Sequence, residues 1–261
     1  MPISGLFFRR PDAPQTIEVV VDGAVFPVRL RRHRQARRYT LRVQTASRDV
    51  VLTMPLRGSI RDARSFAQKH GNWIALRMAR LPASAPFGDG ALVPVRGETH
   101  RIVHRAGTRG TVWREERNGE KLLCVAGGAS HVARRVRDHL KREARCALEA
   151  ASFAAAERLG VSVKRVSVRD QSSRWGSCSS TGRLSYSWRL IMAPPFVLEY
   201  LAAHEVAHLK EMNHSPRFWR LVHEIHPEAA RAKAWLDAHG GDLHRYGLPD
   251  IAGSGSAAMV R

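Results

Sequence analysis

The chain has 261 residues, 44% of them hydrophobic and 25% charged, which suits a globular protein of one large or two small domains with a real core. Lys plus Arg number 43 against 23 Asp plus Glu, a formal net charge of +20 that attracts polyanions and equally suits a solvated Arg-rich surface. No window approaches the roughly 18 apolar residues of a membrane span, and three scattered cysteines without a CxxC pair exclude a disulfide framework and a thiolate zinc site.

Residues 1–15 read as a flexible leader; MPISGLFFRR lacks the order of a secretory signal, so the cytoplasm is the expected compartment. TIEVVV (16–21) and AVFPVRL (24–30) flank Asp22-Gly23, a type I′ hairpin signal. YTLRVQT (39–45) and DVVLTMP (49–55) pair around Ala46-Ser47-Arg48. Ser59 is a helix N-cap, and Ile60, Ala63, Phe66, Ala67, Trp73, Ile74 and Met78 give helical spacing to about residue 80, with Gly71-Asn72 a candidate break. LPASAPFGDG (81–90) is a loop, and ETHRIVHR, GTVWREE and KLLCVA (98–126) read as three strands. The expected organisation is a β-rich region with one helix over 16–127, a core over 128–247 divided from it at Gly127-Gly128, and a flexible tail over 248–261. No internal repeat is visible.

Within the second half, residues 131–159 form an amphipathic helix stopped by Gly160. VSVKRVSVR (161–169) and LSYSWRLIM (184–192) read as strands joined by the polar loop DQSSRWGSCSSTGR (170–183). Pro194-Pro195 opens a helix that is apolar on most sides, FVLEYLAAHEVAHL (196–209). Ser215-Pro216 opens a third helix, RFWRLVHEI (217–225), and Pro227 a fourth, ending near Gly240-Gly241.

The chemistry sits in His204-Glu205-Val206-Ala207-His208, the H-E-x-x-H pattern. Positions i and i+4 share one helix face, so both imidazoles can bind one ion, while Glu205 projects about 100° away and can reach a water without becoming a ligand. His214, six residues on, completes a three-nitrogen site if the helix ends near Met212-Asn213 and Asn213 turns left-handed. Such a site leaves one open position, where zinc lowers the pKa of water toward about 7 for a carboxylate base to deprotonate. His223 or Glu224 is the alternative third ligand, and His223 reads otherwise as an oxyanion stabiliser or a packing residue. Glu211 either supports a ligand or is solvated. The spacing does not choose zinc over another divalent ion.

HEVAHLKEMNHSPRFW (204–219), with RWGSCSS (174–180) and LSYSWRLIMAP (184–194), resembles the YgjP-like metallopeptidase family. The resemblance implies an α+β fold with a zincin-like catalytic core, an HExxH helix and a small sheet, one Zn2+ on His204, His208 and His214, and Glu205 as base. The His-Glu-x-x-His-x5-His spacing is also similar to that of the Wss1-like metalloproteases, which act on DNA–protein crosslinks. It resembles that of the metzincins too, which carry glycine where this chain has Glu211. The family also carries an attribution of nucleoside triphosphate pyrophosphatase activity, so peptide or protein and nucleotide both stand as substrates.

In zincin-type enzymes generally a substrate strand lies along a sheet edge above the metal helix, and 163–191 is placed to supply that edge. Within it, Arg174 either grips substrate or holds a backbone carbonyl, and Trp175 either lines the cleft or packs in the core. Cys178 has no base beside it in sequence. Arg29, Arg31, Arg32, Arg34, Arg37, Arg38 and Arg42, with His33, then Arg134, Arg135, Arg137, Lys141, Arg142 and Arg145, form basic clusters. Each reads as a nucleic-acid surface or a solvated one. Few aromatics are interleaved, and nothing indicates an oligomeric state.

Overall fold

The computed structural model describes residues 15–44, 48–81, 83–171 and 174–248. The leader over 1–15 and the tail over 248–261 lie, except for Gln15 and Leu248, outside the described residues, as do Ala46, Ser47 and the Ser172-Ser173 step. The fold is α+β, and the chain divides into two compact units at Leu81–Pro82.

The first unit is a four-stranded sheet backed by two short helices. Its elements are β1 (Thr16–Val21), β2 (Ala24–His33), β3 (Thr40–Gln44), β4 (Asp49–Pro55), α1 (Ile60–Lys69) and α2 (Gly71–Ala79). The β1–β2 turn is left-handed at Asp22 and Gly23, as the Asp-Gly pair requires. Strand order is β1-β2-β4-β3, with β2 and β4 parallel. Alternate residues of the sheet, including Ile17, Val19, Val28, Leu30, Leu52 and Met54, pack on Ala63, Ala67 and Ile74 of the helices. Ser59 caps α1 through the Asp62 N–H, as expected. The break falls at His70. At the next residue, an added Cβ on Gly71 would come within 2.7 Å of Val21, so only glycine lets α2 approach β1 this closely.

A second sheet opens the other unit: β5 (Leu92–Val95), β6 (Glu98–Arg105), β7 (Val112–Arg117) and β8 (Glu120–Ala126), ordered β5-β6-β8-β7. Its pairing senses repeat those of the first sheet, two antiparallel hairpins joined by a parallel central pair, and a helix follows each. Asp22-Gly23 is matched by Arg96-Gly97, both left-handed. This is a structural repeat that the side chains do not advertise, because pairing is set by turn geometry and alternation rather than by residue identity.

The rest of the unit is α3 (Val132–Leu159), β9 (Arg165–Arg169), β10 (Gly176–Cys178), β11 (Arg183–Ser187), α4 (Pro195–Ala207), α5 (Pro216–Ile225) and α6 (Ala229–Leu243). Val136, Leu140, Ala144 and Leu148 of α3 belong to one core with Ile102, Leu123 and Val125 of the second sheet and with Val197, Leu201 and Val206 of α4. The Gly127-Gly128 step therefore lies inside this unit rather than between units. Three further details depart from the sequence reading. The polar loop holds a third strand, β10, at the edge of the sheet β10-β11-β9. Residues 188–192 leave β11 for a buried 3-10 segment. Finally, α6 runs through Gly240-Gly241, with Gly240 flush against the Trp175 ring.

Candidate metal centre and active site

Buried apolar residues surround α4 on most sides, which fixes the helix firmly in the core. The helix stops at Ala207, and His208 is its C-cap, still in right-handed helical conformation (φ −62°, ψ −18°). His204 and His208 thus keep the i, i+4 relation, with ring centroids 5.1 Å apart. The expected extension to Met212-Asn213 does not form; Leu209 and Lys210 close tight turns onto Val206 and Ala207 instead. Nor is Asn213 left-handed: among described non-glycine residues positive φ occurs at Asp22, Arg48, Arg96 and Asn118. Its Oδ1 accepts the Ser215 N–H at 3.0 Å, a side-chain turn that returns the chain. Ser215 then caps α5 by accepting from the Phe218 N–H at 3.3 Å.

This reversal brings His214 within 5.0 Å of His204 and 4.9 Å of His208, centroid to centroid. One ring nitrogen from each histidine lies within 4.8 Å of the others, and Nε2 of His204 and His214 approach to 3.1 Å. Two nitrogens bound tetrahedrally to one zinc at about 2.0–2.1 Å stand about 3.3 Å apart, so the donor set fits such an ion. His208 Nδ1 donates to the Glu211 main-chain carbonyl at 3.1 Å, which leaves Nε2 for the cluster. Glu211 contributes there through its backbone. Burial, then the neighbouring His208 and His214, lower the His204 pKa to about 4, keeping it in the neutral form that ligates. Burial also lowers that of His208.

Phe218, fully buried, lies under all three rings at 4.9, 4.5 and 4.8 Å, and Trp219 stacks on His214 at 5.9 Å. Sequence reading overlooked both, although RFWRLVHEI shows its apolar stripe directly after the capping serine.

Glu205 is 5% exposed. Burial raises its carboxyl to about 7 against the pull of the Arg174 guanidinium. It lies against Gly176 of β10 so closely that an added Cβ would stand 2.8 Å from Glu205 Cδ. A cavity of about 250 Å³ opens on Glu205 and His204, lined also by Trp175, Tyr200, Leu201 and Leu236, with Lys233 and Asp237. A larger cleft of about 720 Å³, bordered by Leu198 and Ala203 of α4, includes none of the three histidines or Glu205.

Arg174 is exposed and does not line this cavity, though its charge acts on Glu205. Trp175 does both things that sequence left open: it lines the cavity, and it packs, stacked on His244 at 4.9 Å. His223 and Glu224 are not brought in. Both are exposed on α5, neither lines the cavity, and the Glu224 carbonyl accepts from Arg158 at 2.9 Å. Burial and then Glu205 push the Cys178 thiol up to about 11, which favours the protonated thiol over the nucleophilic thiolate.

A family model described as YgjP-like, metallopeptidase domain, matches residues 37–239. The chain belongs to the YgjP-like metallopeptidase family. Membership carries hydrolase chemistry that depends on a divalent metal, and the histidine cluster lies within the matched span. Among solved structures the chain is similar to the metallopeptidase zymogen abylysin of Pyrococcus abyssi. The two are 28% identical over 38% of this chain and 97% of that one, with a TM-score of 0.33. No curated protein matches. No described helix is long and apolar enough to cross a membrane.

Proposed function

We propose that the protein is a zinc-dependent peptidase in which His204, His208 and His214 hold one zinc ion and Glu205 is the general base. The observation that carries this reading is the convergence of three imidazoles, with ring nitrogens within 4.8 Å of one another, beside a buried carboxylate that opens on a cavity. When bound, the ion supplies Lewis acidity that polarises a substrate carbonyl and acidifies water. Glu205 accepts a proton from that water at a carboxylate oxygen and passes it to the departing amine. Gly176 keeps space for this carboxylate, and Phe218 with the Glu211 carbonyl holds the imidazoles in orientation.

An extended peptide suits the surroundings. The edge strand β10 pairs with β11 alone among the described strands, so its other side offers backbone groups for strand addition. The cavity walls of Trp175, Tyr200 and Leu236 suit a substrate side chain. Lys233 is the one Lys or Arg among the residues lining this cavity, and it is tied to Asp237 at 2.7 Å, a poor cradle for a triphosphate. Three free thiols, Cys124, Cys146 and Cys178, support a reducing, cytoplasmic setting.

The test offers casein and UTP to zinc-loaded protein and to Glu205→Gln. Casein cleavage is expected to stop with chelator and to fall by about 10²–10⁴-fold in the variant, which still binds one zinc per chain. Full activity in Glu205→Gln overturns the base, and chelator-sensitive UTP hydrolysis without casein cleavage overturns the peptidase reading.

A further inference from the structure

Between Gln15 and Leu81 fourteen Lys and Arg face four acids, Glu18, Asp22, Asp49 and Asp62. Strand alternation sorts these charges. Because α1 and α2 occupy one face of the first sheet, side chains of opposite parity point away from the core. The register places Arg29, Val51 and Arg42 in one row across β2, β4 and β3, with Val51 buried between two exposed arginines, and Arg31, Thr53 and Thr40 in the next. At the usual strand spacing Arg29 and Arg42 stand about 10 Å apart, with Arg31 about 7 Å further along β2. Arg34, Arg37 and Arg38, all exposed, follow in the connection leaving the same end of β2.

What each arginine already does separates this face from a random basic surface. Arg32, of inward parity, is used by the fold: its guanidinium donates to the Leu56 and Gly58 carbonyls, each at 2.7 Å. Arg29 has one carboxylate near, Asp49 at 3.6 Å, while among the described residues Arg31 and Arg42 form no ion pair. The rows of Arg29 and Arg31 hold threonines and no Phe, Tyr or Trp, and His33, next on β2 with the same parity, already accepts from the Gln35 N–H at 3.3 Å, so the face offers charge and hydroxyls to phosphates and little on which an unpaired base could stack.

We propose that the outward face of β2, β4 and β3 binds the phosphate backbone of double-stranded nucleic acid without reading its sequence. The partner is chosen by charge complementarity and by the absence of Phe, Tyr and Trp from these rows, and the proposal does not depend on the peptidase reading.

The test titrates the full chain into a labelled duplex of arbitrary sequence, followed by fluorescence anisotropy across 50–200 mM salt. The variant R29Q/R31Q/R42Q is compared with R61Q/R64Q/K69Q, which removes the same charge from exposed positions of α1. The sheet variant is expected to lose at least about tenfold in affinity and to flatten the log–log salt slope by about 2–3, against about threefold or less for the α1 variant. R29K/R31K/R42K keeps the charge and is expected to stay within about threefold of the parent, with circular dichroism confirming that all variants fold. Equal losses in the sheet and α1 variants overturn the site in favour of diffuse charge. Tighter binding to oligo-dT than to the duplex, or to phosphatidylserine vesicles than to either, overturns the partner.

Discussion

Glu205 owes its position to a residue with no side chain. Gly176 approaches it from β10, and an added Cβ would meet Glu205 Cδ at 2.8 Å, a distance that real Cβ atoms do not tolerate. Because the carboxylate sits at the end of a rotatable chain while the imidazoles are held by the backbone and Phe218, a methyl group here is expected to displace the proposed base and spare the proposed ligands. Gly176→Ala is expected to lower kcat by at least about tenfold with zinc stoichiometry unchanged and a stability cost of about 1–3 kcal/mol. Isothermal titration with zinc and casein kinetics on one preparation check this, and loss of zinc binding in the variant contradicts it. His204, Glu205 and His208 were readable because they obey helix spacing, and His214 because it follows His208 by six residues just before the Ser215-Pro216 helix start. Gly176 and Phe218 were not, because their roles exist only once β10 and α5 have been folded against α4.

The chain reversal between α4 and α5 carries the third imidazole, and it is held by local polar chemistry. Ser215 accepts from the Phe218 N–H and Asn213 from the Ser215 N–H, so His214 sits within a pair of side-chain turns. Ser215→Ala is expected to cost about 1 kcal/mol in thermal unfolding and to weaken zinc affinity, because α5 then frays beside His214. An unchanged zinc affinity would show that His214 is positioned by Phe218 and Trp219 alone. The same distinction explains which elements were visible. Hairpins at Asp22-Gly23, the caps at Ser59 and Ser215 and the stop at Gly160 follow nearest-neighbour rules. The strand β10 has three residues and exists through its partners on β11, and the 3-10 segment after β11 is shaped by the core around Trp188. In α6, Gly240 breaks the helix rule because the Trp175 ring needs its space.

At the scale of the molecule the described residues form two hydrophobic cores, one under each four-stranded sheet, and the three imidazoles belong to the unit that begins at Pro82. We read the units as separate folding domains that repeat one sheet topology, the second enlarged by α3 to α6. Zinc that binds a folded unit and not its unfolded chain stabilises that unit alone, by about 2.7 kcal/mol at a free concentration one hundred times Kd. For a domain of this size that raises Tm by about 5–10 °C. Scanning calorimetry of the metal-free chain is therefore expected to show two transitions, of which zinc moves one and chelator moves it back, while duplex nucleic acid moves the other. A single transition shifted by zinc means that the two cores unfold together, and a zinc shift of both means that coupling between them is energetic as well as covalent.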